Sequence, residues 1–105
     1  MQASVLAGRA KPDRMDDVIR FYEKSVLPAM REQTGCKGAL LLCNHDTRQF
    51  MVISLWESLA GLLAAEASAY LQAQLREMRV LLERPLATER YVVNASETNI
   101  FLSSS

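Results

Sequence analysis

The sequence is poor in the residues that build disulfide frameworks and metal sites. Its 105 residues include two cysteines, Cys36 and Cys43, and one histidine, His45. Two cysteines cannot form a framework, and neither has the neighbouring ligands of a metal site. Their separation of seven positions predicts that they lie on opposite faces of one strand, too far apart to bond. We therefore expect two small buried side chains and no metal site.

Neither sign of charge prevails, and no apolar run is long. Twelve basic and twelve acidic residues give a formal net charge of zero. Without a basic stripe containing aromatic residues, nucleic acid is not an expected partner. No stretch approaches the roughly 18 apolar residues of a membrane-spanning helix. The first residues also lack the basic segment of a signal peptide, so we expect a cytoplasmic protein without a membrane partner.

What the chain does have is a large apolar fraction, 50% of its residues, in regular patterns. Its length predicts one domain over residues 1–94, followed by a tail over 95–105 with an apolar island at 100–102. Residues 2–9 predict a first strand. Helix-start residues at Pro12 and Asp13 precede a helical face, and Gly35 is expected to end that helix. Pro28 should kink its last part, because proline cannot donate to the carbonyl of Lys24.

Residues 36–58 predict a β-hairpin around the turn residues at 44–49. Pairing Cys43 with Phe50 places Leu41 and Val52 on the same face as Trp56. The opposite face is also apolar, which is unusual for an antiparallel hairpin with one solvent-exposed face. Helices can cover one face of such a sheet. We expect a second copy of the chain to cover the other.

The last third predicts one kinked helix or two successive helices over residues 58–84, followed by a final strand over 87–95. A breaking point is expected near Gly61 or Ser68, and the apolar stripe consists of Leu71, Leu75, Met78 and Leu82. The resulting order is β-α-β-β-α-β. It predicts an α+β, ferredoxin-like fold in which both helical segments lie on one face of a four-stranded antiparallel sheet, assembled as an obligate homodimer.

The segment Val26–Ser58 resembles the antibiotic biosynthesis monooxygenase superfamily of dimeric α/β barrels. The shared marks are Pro28 in the first helix, the segment 35–38 before strand two, the hairpin, and Leu-Trp-Glu-Ser at 55–58. The resemblance implies one of two activities. One is the oxidation of phenols or quinols by dioxygen without a cofactor, and the other is haem degradation.

The residues favour the first activity. Haem-degrading members use an Asn in strand one, a Trp at the end of strand three and a His in the next helix. Only Trp56 matches, because Ala7, Gly8 and Glu66 occupy the other positions. Cofactor-free members can carry an Asn four residues before the Trp, where this chain has Val52. The resemblance therefore implies no cofactor and a small aromatic ligand.

We predict catalytic roles for Trp56, Ser54 and Arg76. The expected substrate-binding residues are apolar neighbours on the Trp56 face and tyrosines of the facing helices: Leu41, Phe50, Val52, Tyr22 and Tyr70. Each has a simpler alternative in packing, backbone hydrogen bonding or surface solvation. Those alternatives would leave a non-catalytic dimeric barrel that binds a ligand or partner. The enzyme requires an enclosed cavity of small-molecule size beside Trp56, and a structure without one would count against it.

Overall fold

A computed structural model describes residues 1–95; the apolar island at 100–102 lies outside the described residues. Four strands form one antiparallel sheet in the order β2-β3-β1-β4. The strands are β1 (Gln2–Arg9), β2 (Cys36–Asn44), β3 (Gln49–Trp56) and β4 (Ala87–Val92). With helices after β1 and β3, this arrangement confirms the predicted α+β, ferredoxin-like fold.

The first helical segment comprises α1 (Met15–Phe21), a π-helical turn (Tyr22–Val26) and α2 (Leu27–Arg31). The π-helical turn directly precedes Pro28, where the missing N–H leaves the Lys24 carbonyl without its usual donor. The predicted distortion of the helix is therefore present, and it lies in the turn before Pro28. Gly35, with a φ of +88°, lies in the turn before β2, four residues after the helix ends.

The second helical segment is divided into α3 (Leu59–Glu66) and α4 (Ala69–Met78), and a 3₁₀ turn (Arg79–Leu81) follows. Each helix has its own N-cap. Ser58 Oγ accepts from the Gly61 amide at 3.1 Å, and Ser68 Oγ accepts from the Leu71 amide at 3.3 Å. The caps satisfy amides that have no partner within their helices. Of the two predicted alternatives, two successive helices is the one observed.

Between Ala39 and Cys43, the register of the β2–β3 hairpin is the predicted one, because Cys43 pairs with Phe50. A bulge at Lys37 then shifts the register, so that Cys36 lies opposite Trp56. Both cysteines consequently lie on the same face, packed against the core. The prediction of opposite faces was wrong because one inserted residue reverses the alternation of a strand.

The helices pack on one face of the sheet, here called the inner face. The core between them contains side chains from all helical segments and three strands, including Leu6, Val18, Val26, Val52, Trp56, Leu62, Met78 and Leu82. The outer face is apolar as well: Leu42, Met51 and Tyr91 are 44%, 40% and 50% exposed. No helix within residues 1–95 has the length and hydrophobicity that crossing a bilayer requires.

Candidate functional site

Trp56, the last residue of β3, is hydrogen-bonded to Ser54 on the same face of the strand. Its indole Nε1 donates to Ser54 Oγ at 2.9 Å, and both residues are 2% exposed. This bond replaces the backbone partners expected for each side chain. Because the Ser54 oxygen accepts the indole proton, the hydroxyl proton of Ser54 can be donated to another group.

A cavity of about 700 Å³ lies beside this pair, between the inner face of the sheet and helices α3 and α4. We call it the Trp56 cavity. It is lined by Ser4, Leu6, Met30, Ser54, Trp56, Leu62, Ala65, Glu66, Leu71, Gln72, Leu75, Arg76, Arg79, Leu82, Pro85, Leu86, Thr88 and Arg90. It is a cleft open to solvent and not the enclosed cavity that the enzyme prediction required. Its volume lies within the usual range for small-molecule sites, roughly 300–1,000 Å³.

Polar side chains form a row across the floor of the Trp56 cavity. Ser54 of β3 pairs with Ser4 of β1, which pairs on its other side with Arg90 of β4. Directly opposed residues of antiparallel strands point to the same face, so all three side chains belong to the inner face. Ser4 and Ser54 are the buried polar residues of the described chain. An otherwise apolar sheet face is thus polar where it borders the cavity.

Glu66 and Arg90 form a two-pronged ion pair at the cavity wall. Arg90 Nη2 lies 2.6 Å from Glu66 Oε1, and Arg90 Nε lies 3.0 Å from Oε2. The hydrogen bonds that Arg90 donates to the Glu66 carboxylate, together with the negative charge of Glu66, raise the pKa of the Arg90 guanidinium. The pair joins the end of α3 to β4. The Glu66 carboxylate is thus engaged by Arg90.

Two further arginines, Arg76 and Arg79, also line the cavity. Arg79 Nη1 donates to the carbonyl of Leu82 at 2.9 Å. Within residues 1–95, no carboxylate lies within 4.0 Å of either guanidinium. In the same part of the chain, no three His, Cys, Asp or Glu side chains are grouped so that they could hold a metal ion. The lining therefore offers hydroxyls, an indole and cationic groups as its chemistry.

Comparison with known families identifies the architecture. The sequence profile of the antibiotic biosynthesis monooxygenase family matches residues 1–77, more than two thirds of the chain. The chain belongs to the antibiotic biosynthesis monooxygenase family. The match covers all of the sheet except β4 and nearly all of the helices that border the Trp56 cavity. A comparison with curated proteins found none that matches.

Solved structures of other proteins share this fold. Rv0793 from Mycobacterium tuberculosis is 18% identical with a TM-score of 0.75, over 90% of this chain and 96% of that one. The NE2512 protein of unknown function from Nitrosomonas europaea is 20% identical with a TM-score of 0.76, over 91% of each chain. An antibiotic biosynthesis monooxygenase is 17% identical with a TM-score of 0.74, over 90% of this chain and all of that one. At these identities the likeness is one of fold.

The structure of this family member brings the three predicted catalytic residues to one cavity. Trp56 and Ser54 lie at its floor, and Arg76 lies on α4 across from them. Arg76 is exposed on the solvent side of the lining. Their catalytic roles stay predictions, and the structure shows only that all three side chains line the same cavity.

The five predicted substrate-binding residues lie elsewhere in the described chain. Val52 is part of the buried core and Leu41 packs against that core, while Phe50 lines a second cavity at the other end of the sheet. Tyr70 is 49% exposed on α4. Tyr22 is buried in the core, where its hydroxyl has no hydrogen-bond partner and burial raises its pKa to about 12. The alternation of β3 correctly placed the sheet residues on the inner face, but that face is wider than the cavity.

Sequence reasoning missed Ser4, Gln72 and Arg79 as cavity residues. Ser4 could have been found, because β1 places a hydroxyl among apolar residues at an inward-facing position. That inference needed the register of β1 against β3, and these two strands are separated by the whole hairpin. Gln72 gives no comparable signal, since an amide on α4 is ordinary on a helix surface.

Proposed function

We propose that this chain is a cofactor-independent monooxygenase that oxidises a small aromatic or quinol substrate in the Trp56 cavity. Membership of the family supports the class of reaction. The observation that carries the proposal is the Ser54 hydroxyl: fixed by the Trp56 indole at 2.9 Å, it borders a cavity of small-molecule size with a proton still to donate. A substrate oxygen bound there would be held against the face of a buried indole.

The proposed reaction needs no electron source other than its substrate. A hydroquinone ring and one dioxygen molecule give a hydroxyquinone and one water. One oxygen atom enters the ring and the other leaves as water, so the substrate supplies all four electrons. The protein then has to bind and orient the substrate, favour its phenolate, and keep water away from the reacting carbon.

The residues of the cavity suit these three tasks. Leucines of the sheet and both later helices form apolar walls that exclude water from one side of a bound ring, among them Leu6, Leu62, Leu71 and Leu75. Ser54 would donate to a substrate oxygen and fix its position. Arg76 is a permanent cation that lines the same cavity, and its positive charge favours anionic forms of a bound substrate.

We further propose that two copies of the chain pair through the outer sheet face. Exposed Leu42, Met51 and Tyr91 belong to an apolar surface that also includes Val5, Leu40, Ile53 and Leu55. A monomer would leave this surface in water, and each large side chain buried there contributes about 1.5–3 kcal/mol. One chain has a mass of 11.8 kDa, and sedimentation equilibrium at micromolar concentration should give twice that mass. A mass of one chain would contradict the dimer.

The monooxygenase proposal is tested by oxygen uptake with ¹⁸O-labelled dioxygen and a panel of hydroquinones and naphthohydroquinones. We expect uptake that depends on the protein and a product carrying one ¹⁸O atom per molecule. Ser54→Ala should reduce the rate at least tenfold, while Ser25→Ala, a partly buried serine of the first helical segment and outside the cavity lining, should not. Uptake equal to that in buffer, or a product without label, would reject the enzyme.

The second candidate is a non-catalytic dimeric barrel that binds a ligand. It is favoured by Val52, which occupies the position where cofactor-free members can carry an asparagine and is 1% exposed in the core. In that case aromatic ligands would bind in the cavity and protect the protein against unfolding, with no oxygen consumed. The same labelled experiment, combined with a binding titration, separates the two candidates.

A further inference from the structure

We infer that the ligand of the Trp56 cavity is an aromatic acid: a hydroxylated ring system whose carboxylate lies against Arg76 and Arg79 while its hydroxyl reaches Ser54. This inference rests on the proposed use of the cavity as the substrate site. It adds the charge of the substrate and the orientation in which it binds, which family membership does not supply.

The first argument is the charge of the lining. Three arginines and one glutamate line the cavity. The single carboxylate, Glu66, is engaged by Arg90 in a two-pronged ion pair. Arg76 and Arg79 are left with no carboxylate within 4.0 Å in residues 1–95. Among the described residues, the cavity thus has two positive charges on one wall without an ion-pair partner.

The second argument is the proximity of those two charges. Arg76 lies in the last turn of α4, and Arg79 is the first residue of the 3₁₀ turn that follows. Because residues three positions apart are neighbours on a helix surface, both side chains project from the same side of the segment and line the cavity. Like charges at this spacing repel each other weakly. An anion between them removes the repulsion and accepts hydrogen bonds from both planar guanidinium groups, a geometry that matches a carboxylate.

The third argument is the opposite wall. There the cavity presents the Ser54 and Ser4 hydroxyls and the Trp56 indole, which are neutral groups. Arg90 in the same row is charged, but it is paired with Glu66. Apolar side chains of the sheet and α4 separate the two polar ends. A ligand that binds at both polar ends therefore has an anionic group at one end and a hydroxyl at the other, with an aromatic body between them.

The probes are 6-hydroxy-2-naphthoate and its neutral counterpart 6-hydroxy-2-naphthamide, whose polar groups lie at opposite ends of a rigid ring system. Isothermal titration calorimetry measures both affinities on the full chain. We expect the acid to bind at least tenfold more tightly than the amide. The affinity for the acid should fall as salt rises from 0.05 to 0.5 M, because added salt screens the attraction between its carboxylate and the arginines. The affinity for the neutral amide should change little.

Arginine variants locate the anion. Arg76→Gln and Arg79→Gln should each reduce the preference for the acid severalfold, and the double variant should abolish it without weakening the amide. The matched control is Arg31→Gln, since Arg31 is an exposed arginine at the end of α2 and outside the cavity lining. Equal binding of acid and amide, a preference that survives in the double variant, or no binding of the acid would each overturn the inference.

The outcomes also distinguish this inference from the monooxygenase proposal. Arginine-dependent binding of the acid without oxygen uptake would leave the aromatic-acid site standing and reject the enzyme. Oxygen uptake with neutral quinols, together with equal affinity for acid and amide, would support the enzyme and reject the acid.

Discussion

The inner face of the sheet has a covered half and an open half, and one row of residues compares them directly. Leu6 in β1 pairs with Val52 of β3 on one side and with Thr88 of β4 on the other. All three side chains point to the same face, yet Val52 is 1% exposed and Thr88 is exposed. The helices close over β3 and leave β4 free. Stability is concentrated where the layers are in contact, and the candidate site occupies the space where they separate.

The largest expected difference between the halves comes from placing a charge in this row. Val52→Asp buries a carboxylate among apolar side chains and should cost about 4 kcal/mol or more of unfolding free energy, enough to unfold many domains of this size. Thr88→Asp places the same group in water and should cost about 1 kcal/mol or less. Urea unfolding measures both. Similar losses at the two positions would show that β4 is as well covered as β3.

A smaller effect is expected from crowding at Gly8. A Cβ atom there would lie 2.7 Å from Phe50 Cζ and 2.9 Å from Leu86 Cδ2. Gly8→Ala should therefore cost about 1–3 kcal/mol as the ring and the leucine move. At Gly61, in the first turn of α3, the nearest atom to a new Cβ is the Thr34 carbonyl oxygen at 3.4 Å.

The matched variant Gly61→Ala should raise the free energy of unfolding, whereas Gly8→Ala should lower it. Alanine favours the helix over glycine by about 1 kcal/mol, and the contact at 3.4 Å needs little adjustment. Thermal unfolding of both variants gives the comparison. A Gly8→Ala protein as stable as the parent would mean that Phe50 has space to move, and hence that the covered half is less tightly packed than described.

The smallest effect concerns Tyr22, whose buried hydroxyl has no hydrogen-bond partner among residues 1–95. Tyr22→Phe removes that unsatisfied group and should raise the unfolding free energy by about 1 kcal/mol at pH 8. Tyr70→Phe, at an exposed position on α4, should change it little. A loss of stability in Tyr22→Phe would indicate that the hydroxyl has a partner, such as an ordered water.

Tyr22 also predicts a pH dependence. Burial, and to a lesser extent the neighbouring Cys36, raises its pKa to about 12 from an ordinary value of 10.0. The folded state therefore holds the phenol proton more tightly than the unfolded state. That contribution to stability is present below pH 10 and is lost as the pH rises towards 12. Between these values the parent should lose more stability than Tyr22→Phe, measured by urea unfolding at pH 9 and 11.

Much of the covered half could be predicted from sequence, because its information is local. The alternation of β3 placed Phe50, Val52, Ser54 and Trp56 on one face, and the turn fixed their partners in β2. The bulge at Lys37 was not predictable in this way. Nothing in the Cys-Lys-Gly segment distinguishes an inserted residue from a regular one, and its effect on Cys36 follows only from the pairing.

The open half depends on contacts between distant parts of the chain, which a single sequence does not specify. Ser4, Ser54 and Arg90 form one row only through the pairing of β1 with both β3 and β4. The Glu66–Arg90 ion pair spans 24 positions, so neither residue reveals its partner. The predicted lining extended over the whole Trp56 face because sequence indicates which side chains point inward and not where the helical layer ends.

The central claim is that the Trp56 cavity is where a ring is bound and oxidised, and filling the cavity tests it most directly. Ala65, on α3, lines the cavity, whereas its neighbour Ala64 is exposed. The measurement is the initial rate of oxygen uptake with a naphthohydroquinone for Ala65→Phe and Ala64→Phe, with unfolding midpoints to establish that both are folded. The account predicts at least a tenfold loss in folded Ala65→Phe and the parental rate in Ala64→Phe. A folded Ala65→Phe protein with the parental rate would contradict it.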